Sequence, residues 1–287
     1  MNQSTFTLSG LGAAAGRWGK RILFILLSVV VLYPLFWNLM SSFKSNTEIL
    51  DVPPWKLPSS LHTENYVHAF KGAHMDDYML NSVYVTAASL ALALFLTLTS
   101  AYGLARVRNR WCSVVRTTYL GGLFIQTPIL IIPVFLLLNT LGMTDSREGL
   151  VLVYALGALP FSIYLLSGYM ASIPRDFEES AMMDGCGRWR MLFSIVAPLV
   201  QPGLVTVMIF NFFAFWNEYP MALTLIYSDE KRTIPTGLSN LFEVQRYATD
   251  WGALFAALSM VLIPTVIVYV FTQKKLTEGV MMGGIKG

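Results

Sequence analysis

The chain has 287 residues, of which 55% are hydrophobic and 13% charged, with a mean hydropathy of +0.56 and a net charge of +3. A soluble domain carries about a quarter charged residues, so the polar shell of a 32 kDa water-exposed globule cannot be built from this composition. Three histidines and two cysteines, Cys112 and Cys186, exclude a disulfide framework and leave almost no material for a metal site.

The first segment, 1–21, is polar and small and ends in Arg17, Lys20 and Arg21. It reads as a cytoplasmic N-terminal segment. The apolar run that follows has no small-residue cleavage site and reads as a first membrane helix rather than a cleaved signal peptide. Six runs are long and apolar enough to cross a hydrocarbon core: 22–42, 82–105, 117–140, 149–171, 203–226 and 252–272. The fold class is therefore all-α, a polytopic membrane protein with six transmembrane helices. Its membrane core spans 22–272, followed by a cytoplasmic C-terminal tail, 273–287.

Lysine and arginine placement sets the orientation. With the N-terminus inside, thirteen basic residues fall on the inner side and seven on the outer side. The short segment 106–116 carries Arg106, Arg108, Arg110 and Arg116 and no acid. Both termini are expected in the cytoplasm. Between spans one and two, 43–81 contains Pro53, Pro54, Trp55 and Pro58 and predicts an ordered loop. Residues 227–251, with Asp229, Glu230, Lys231 and Arg232, predict a solvated turn. Pro128, Pro133, Pro160 and Pro264 fall inside spans and predict kinks.

The inner loop between spans four and five, 174–198, has the most unusual pattern. Asp176 followed by Glu179 predicts a helix N-cap with its box partner, and Glu178 and Glu179 suit the positive end of the helix dipole. Gly185 and Gly187 allow a stop and a sharp turn, and a second amphipathic helix from Arg188 leads through Pro198. The result is a compact knob, with Ala181 and Gly185 as a smooth face for another protein.

No phosphate-binding Gly-x-x-x-x-Gly-Lys-Ser/Thr loop occurs, nor a His-Glu-x-x-His or Gly-x-Ser-x-Gly pattern. No catalytic or metal-ligating set emerges, and His62, His68 and His74 share only a loop. Ionisable residues within spans are few. Glu218, beside Trp216, Asn217 and Tyr219, reads either as the mouth of a path or as an interfacial aromatic belt with a snorkelling carboxylate. Asn211, Gln126 and Asn139 are polar groups that line a path or bond between helices.

Glu179-Ser180-Ala181, three residues, Gly185, nine residues, Ile195, one residue and Ala197-Pro198 resemble the EAA loop of ABC-importer permeases. Ser180 and Ala197 replace an alanine and a leucine of that pattern. Asn81-Ser82, Ile173-Pro174, Trp216-Asn217-Glu218-Tyr219 and the terminal Gly283-Gly284-Ile285-Lys286-Gly287 are similar to carbohydrate, maltose-permease-like members. The resemblance implies a multi-pass subunit of the bacterial cytoplasmic membrane that works with a second permease, an ATP-binding subunit dimer and an extracellular solute-binding protein. It implies no bound cofactor, since ATP and Mg²⁺ sit on the ATPase, and no nucleic-acid partner. Coupling to the ATPase falls on Glu179, Ala181, Asp184 and Gly185. The path or binding-protein contact falls on Asn211, Trp216, Asn217, Glu218 and Tyr219. Other solutes of the superfamily, such as polyamines, phosphate or metal chelates, are alternatives. An ion-coupled secondary transporter is disfavoured by the scarcity of mid-membrane carboxylates.

Overall fold

A computed structural model describes residues 8–72, 74–107, 109–248 and 250–284; side chains are described from Trp18 to Lys275, apart from residues 73, 108, 240 and 243–249. Among them there is no strand. The helices in chain order are α1 (Leu8–Ser41), α2 (Asn46–Asp51), α3 (Glu64–Val67), α4 (Met75–Arg106), α5 (Arg110–Gly122), α6 (Thr127–Thr140), α7 (Arg147–Gly157) and α8 (Leu159–Ala171). They continue with α9 (Asp176–Met183), α10 (Arg188–Met191), α11 (Ala197–Leu199), α12 (Gln201–Trp216), α13 (Pro220–Leu225), α14 (Ile234–Ala248) and α15 (Trp251–Gly284).

By length and composition, three single helices can cross a bilayer, within α1, α4 and α15. Three further crossings are bent pairs, which makes six. The third expected span is not one helix. Gly121-Gly122 close α5, Pro128 sits in the first turn of α6, and the two helices meet at 111°. Proline lacks the N–H needed inside a helix but is tolerated in its first turn, so Pro128 starts a helix rather than kinking one. Pro160 acts the same way in α8, where the bend from α7 is 44°. The fifth expected span, 203–226, is broken at 217–219, and Pro220 opens α13. Helix is continuous across residues 21–22 and 272–273.

The chain divides into two compact units. The first holds residues 1–70 and 244–260. Within it, residues 43–70 are an ordered segment as expected, while the last part of the expected 43–81 loop is the start of α4. Ser45 and Glu48 close a capping box at α2, and Asn65 Nδ2 donates to the carbonyls of Ser42 and Lys44 at 2.9 Å each. Bonds from Ser59 and from the Ser45 backbone hold the Glu48 carboxyl down to about 2. Trp37 meets Phe255 edge to face, and Asn38 Nδ2 donates to Ser259 Oγ at 3.0 Å.

The second unit holds residues 71–243 and 261–287. Its centre is α4, which packs against α7, α8 and α12. One apolar cluster gathers Leu98, Ala101, Leu166, Met170, Ala181, Met191 and Val207, while a second gathers Val85, Leu150, Tyr154, Phe215 and Leu225. The solvated turn expected at 227–251 is only its first part, because α14 occupies 234–248. Asp145, at φ 51, closes this region. Its carboxylate accepts from Tyr227 N, Ser228 N and Oγ, and from Lys231 Nζ at 2.9 Å. Burial pushes the Asp145 carboxyl up, but these bonds prevail and hold it at about 2.

Candidate functional site

The loop 174–198 folds as two short limbs around a glycine. The first limb, α9, begins one residue earlier than expected. Arg175 takes the N-cap position without a side-chain bond, so Asp176 lies in the first turn and the expected capping box does not form. Asp176, Glu178 and Glu179 still place three carboxylates at the positive end of the helix. At the other end, Cys186 N donates to Ala181 O at 2.9 Å and Gly185 N donates to Met182 O at 3.0 Å. That pair of bonds is a Schellman motif, and it requires the left-handed Gly185, φ +74. Gly187 has ordinary backbone and only caps α10. The glycine stop is therefore Gly185 alone.

Helical phase divides the α9 residues. Glu178 and Ala181, three apart, point inward and are buried. Glu179, Met182, Met183 and Asp184 point outward and are exposed. Ala181 consequently does not form the smooth outer face, because it packs into this chain's own core beside Leu98 and Ala101. The outer face is instead made by Phe177, Met182, Met183 and Trp189, with Met183 88% exposed. Four large apolar side chains outside the long apolar runs are thus left exposed on the loop, and apolar surface of this kind suits contact with another protein.

Glu178, absent from the sequence-based selection, is the residue that seats the loop. Its Oε1 accepts from Arg106 Nε at 2.6 Å and its Oε2 from Tyr102 OH at 3.3 Å. Arg106 also donates from Nη2 to Ile173 O at 3.2 Å, and Tyr102 OH reaches Met191 Sδ at 3.3 Å. The signal available in sequence was the three-residue spacing of Glu178 and Ala181 on one helical face together with Arg106 at the end of the second span.

The residues selected for a path are scattered in role. Asn211 is buried, and its Nδ2 donates to Ser162 Oγ at 3.0 Å, joining α12 to α8. Trp216 is buried and donates from Nε1 to Val261 O at 3.4 Å. Asn217 is exposed and bonds back to Phe213 O at 2.9 Å. Tyr219 OH pairs with Ser239 Oγ at 3.0 Å. Glu218 is neither snorkelling nor free, since its carboxylate accepts from Tyr154 OH at 2.7 Å and from Met221 N and Ala222 N at 2.8 and 2.9 Å. It caps α13. Gln126 and Asn139 are exposed.

His62, His68 and His74 each meet one carboxylate, of Glu64, Asp250 and Asp77 respectively. Among the described residues, no three His, Cys, Asp or Glu side chains are gathered as a metal site.

Broken apolar crossings and a polar, glycine-stopped helical knob define a polytopic membrane transport subunit. Residues 93–277 match the family described as binding-protein-dependent transport system inner membrane component, and the chain belongs to that family. The diacetylchitobiose uptake system permease protein NgcG of Streptomyces coelicolor is 37% identical over 91% of this chain and 86% of its own. The inner membrane ABC transporter permease protein YcjP of Escherichia coli is 32% identical over 98% of each. A chain of a bacterial ABC transporter that imports the acidic polysaccharide alginate has the same fold, with a TM-score of 0.82 at 23% identity over 95% of this chain and 99% of that one. The likeness to ABC-importer permeases, first carried by the EAA-type spacing, thus extends over nearly the whole chain.

Proposed function

We propose that the chain is a non-catalytic permease half of a sugar or oligosaccharide importer, with both termini in the cytoplasm. It supplies part of the path and the lever, while ATP and Mg²⁺ are bound by a separate ATPase dimer. A second permease completes the path, and an extracellular binding protein delivers the solute. The observation that carries this reading is the exposure of Phe177, Met182, Met183 and Trp189 on a knob whose Glu178 and Ala181 are buried in this chain. Such a patch fits a groove on another subunit, and Glu179, Asp184 and Gly185 fix its charge and its turn. Family membership supports the binding-protein partner, and the cargo named for NgcG supports a sugar. Few charges are available to neutralise an ionic cargo, which also favours a neutral, hydroxyl-rich solute.

The test is co-purification. A tagged chain should bring down a second permease and an ATPase, and Met183→Glu with Trp189→Glu should release the ATPase while keeping the second permease. An unchanged ATPase yield in the double variant contradicts the docking assignment.

A further inference from the structure

We infer that α4 is the rod that carries movement of the knob across the membrane, and that Arg106, Tyr102 and Glu178 are the positioning residues that clamp the knob to it. This rests on the docking role proposed for the knob. The covalent routes out of the knob are poor levers. Towards α8 the chain passes through the non-helical Ser172–Pro174. Towards α12 it passes a π-helical turn, Leu192–Val196, and an 80° bend at Val200.

The route through α4 is stiff at every stage. The Arg106–Glu178 pair is shielded, with side-chain exposures of 13% and 9%, and a buried, hydrogen-bonded ion pair resists separation because either charge alone is poorly solvated. The Tyr102 hydroxyl lies 3.3 Å from both limbs, Glu178 of α9 and Met191 of α10, and its one proton is donated to either of them. Ala181, Met191, Leu192 and Val196 share one apolar cluster with Leu98 and Ala101 of α4 and with Leu166 and Met170 of α8. From there α4 runs unbroken for 32 residues, about 48 Å at 1.5 Å per residue.

Its far end is tied as firmly. Asn81 Nδ2 donates to the carbonyls of Glu230 and Arg232 at 2.9 and 3.0 Å, and Asn81 Oδ1 accepts from Arg147 Nη1 at 3.0 Å. Ser82 Oγ accepts from Ile234 N at 2.8 Å. One helix therefore joins the knob at one end to the 229–234 segment at the other. A shift of the knob moves that segment with it.

The experiment uses the complete complex in nanodiscs, with spin labels at Ser180→Cys, exposed on α9 and outside the docking residues, and at Glu230→Cys, on a Cys112→Ser, Cys186→Ser background. The distance between the labels is read with and without a non-hydrolysable ATP analogue. The expected result is one narrow distribution that nucleotide leaves in place, because both labels ride on one body. In Arg106→Gln with Glu178→Gln the distribution should broaden and become nucleotide-dependent. Tyr102→Phe, which removes one hydroxyl and little packing, should broaden it less and carries the test where the double variant does not accumulate. A parental distance that shifts with nucleotide, or clamp variants indistinguishable from the parent, would overturn the inference. The knob variant Met183→Glu, Trp189→Glu separates the two readings. If it keeps the ATPase, docking and lever fail together. If it loses the ATPase while the clamp variants match the parent, only the lever fails.

Discussion

The Tyr154 hydroxyl donates to Glu218 Oε2 at 2.7 Å, bridging α7 to the break between α12 and α13. Two backbone N–H groups of α13 share the same carboxylate. The first backbone donors of a helix have no partner within it, and here a side-chain carboxylate takes two of them. Glu218 makes the break in this crossing possible.

Glu218→Ala should therefore destabilise the protein by about 1–3 kcal/mol, the cost of leaving half-buried donors unpaired. Tyr154→Phe should cost less, because only one bond to the carboxylate is lost. Thermal unfolding in detergent would rank the two. A normal melting temperature combined with lost solute binding in Glu218→Ala would mean instead that the carboxylate serves the cargo.

Asp145 gives a pH signature. Its carboxyl is held at about 2 against an ordinary 3.8, so it binds a proton less readily folded than unfolded. The stability it contributes is complete above about pH 4 and is lost as pH falls towards 2. Asp145→Asn keeps a residue that tolerates the left-handed backbone and removes the charge facing Lys231. Stability at neutral pH should drop by on the order of 1–2 kcal/mol, and the acid-side decline of melting temperature should flatten. An unchanged decline would assign it to other carboxyls.

Gly185 is under a conformational demand rather than a spatial one, since a methyl group there would meet no neighbour. Gly185→Asn should be tolerated and Gly185→Ala should cost about 1–2 kcal/mol locally. Gly185→Pro should uncouple ATP hydrolysis from transport, because it removes the N–H that bonds Met182 O and forbids φ +74. Measuring hydrolysis per solute moved tests this order. Normal coupling in Gly185→Pro would remove the hinge from the mechanism.

The Asn211–Ser162 pair is predicted to be structural glue. Asn211→Leu should lower stability by about 0.6–1.7 kcal/mol, the range of interhelical hydrogen bonds in membranes, and should leave uptake largely intact. Lost uptake at unchanged stability would return Asn211 to the path.

Much of this was legible because membrane insertion and helix stopping depend on local composition. The six apolar runs and the stop at Gly185 follow from residues adjacent in the chain. What was not legible depended on helical phase or on partners far away in sequence. Glu178 and Glu179 are neighbours of the same type, and only the inward placement of Ala181 beside α4 decides that Glu178 is the buried one. Glu218 looked like a lone carboxylate because its donors lie on Tyr154, Met221 and Ala222. The third crossing looked continuous because the apolar run carries on past Gly121-Gly122 and Pro128, the residues that divide it. Helix α14 was missed because its polar face broke the apolar run that marked the other spans.

On the proposed function, this chain moves solute only when a separate ATPase drives its knob. The most direct measurement is uptake of a labelled oligosaccharide by proteoliposomes holding the whole complex, with the ATPase intact or with its phosphate-binding lysine replaced. ATP-dependent uptake is expected in the first case and none in the second, with or without a proton gradient. Uptake that persists with the disabled ATPase and follows the proton gradient would contradict it.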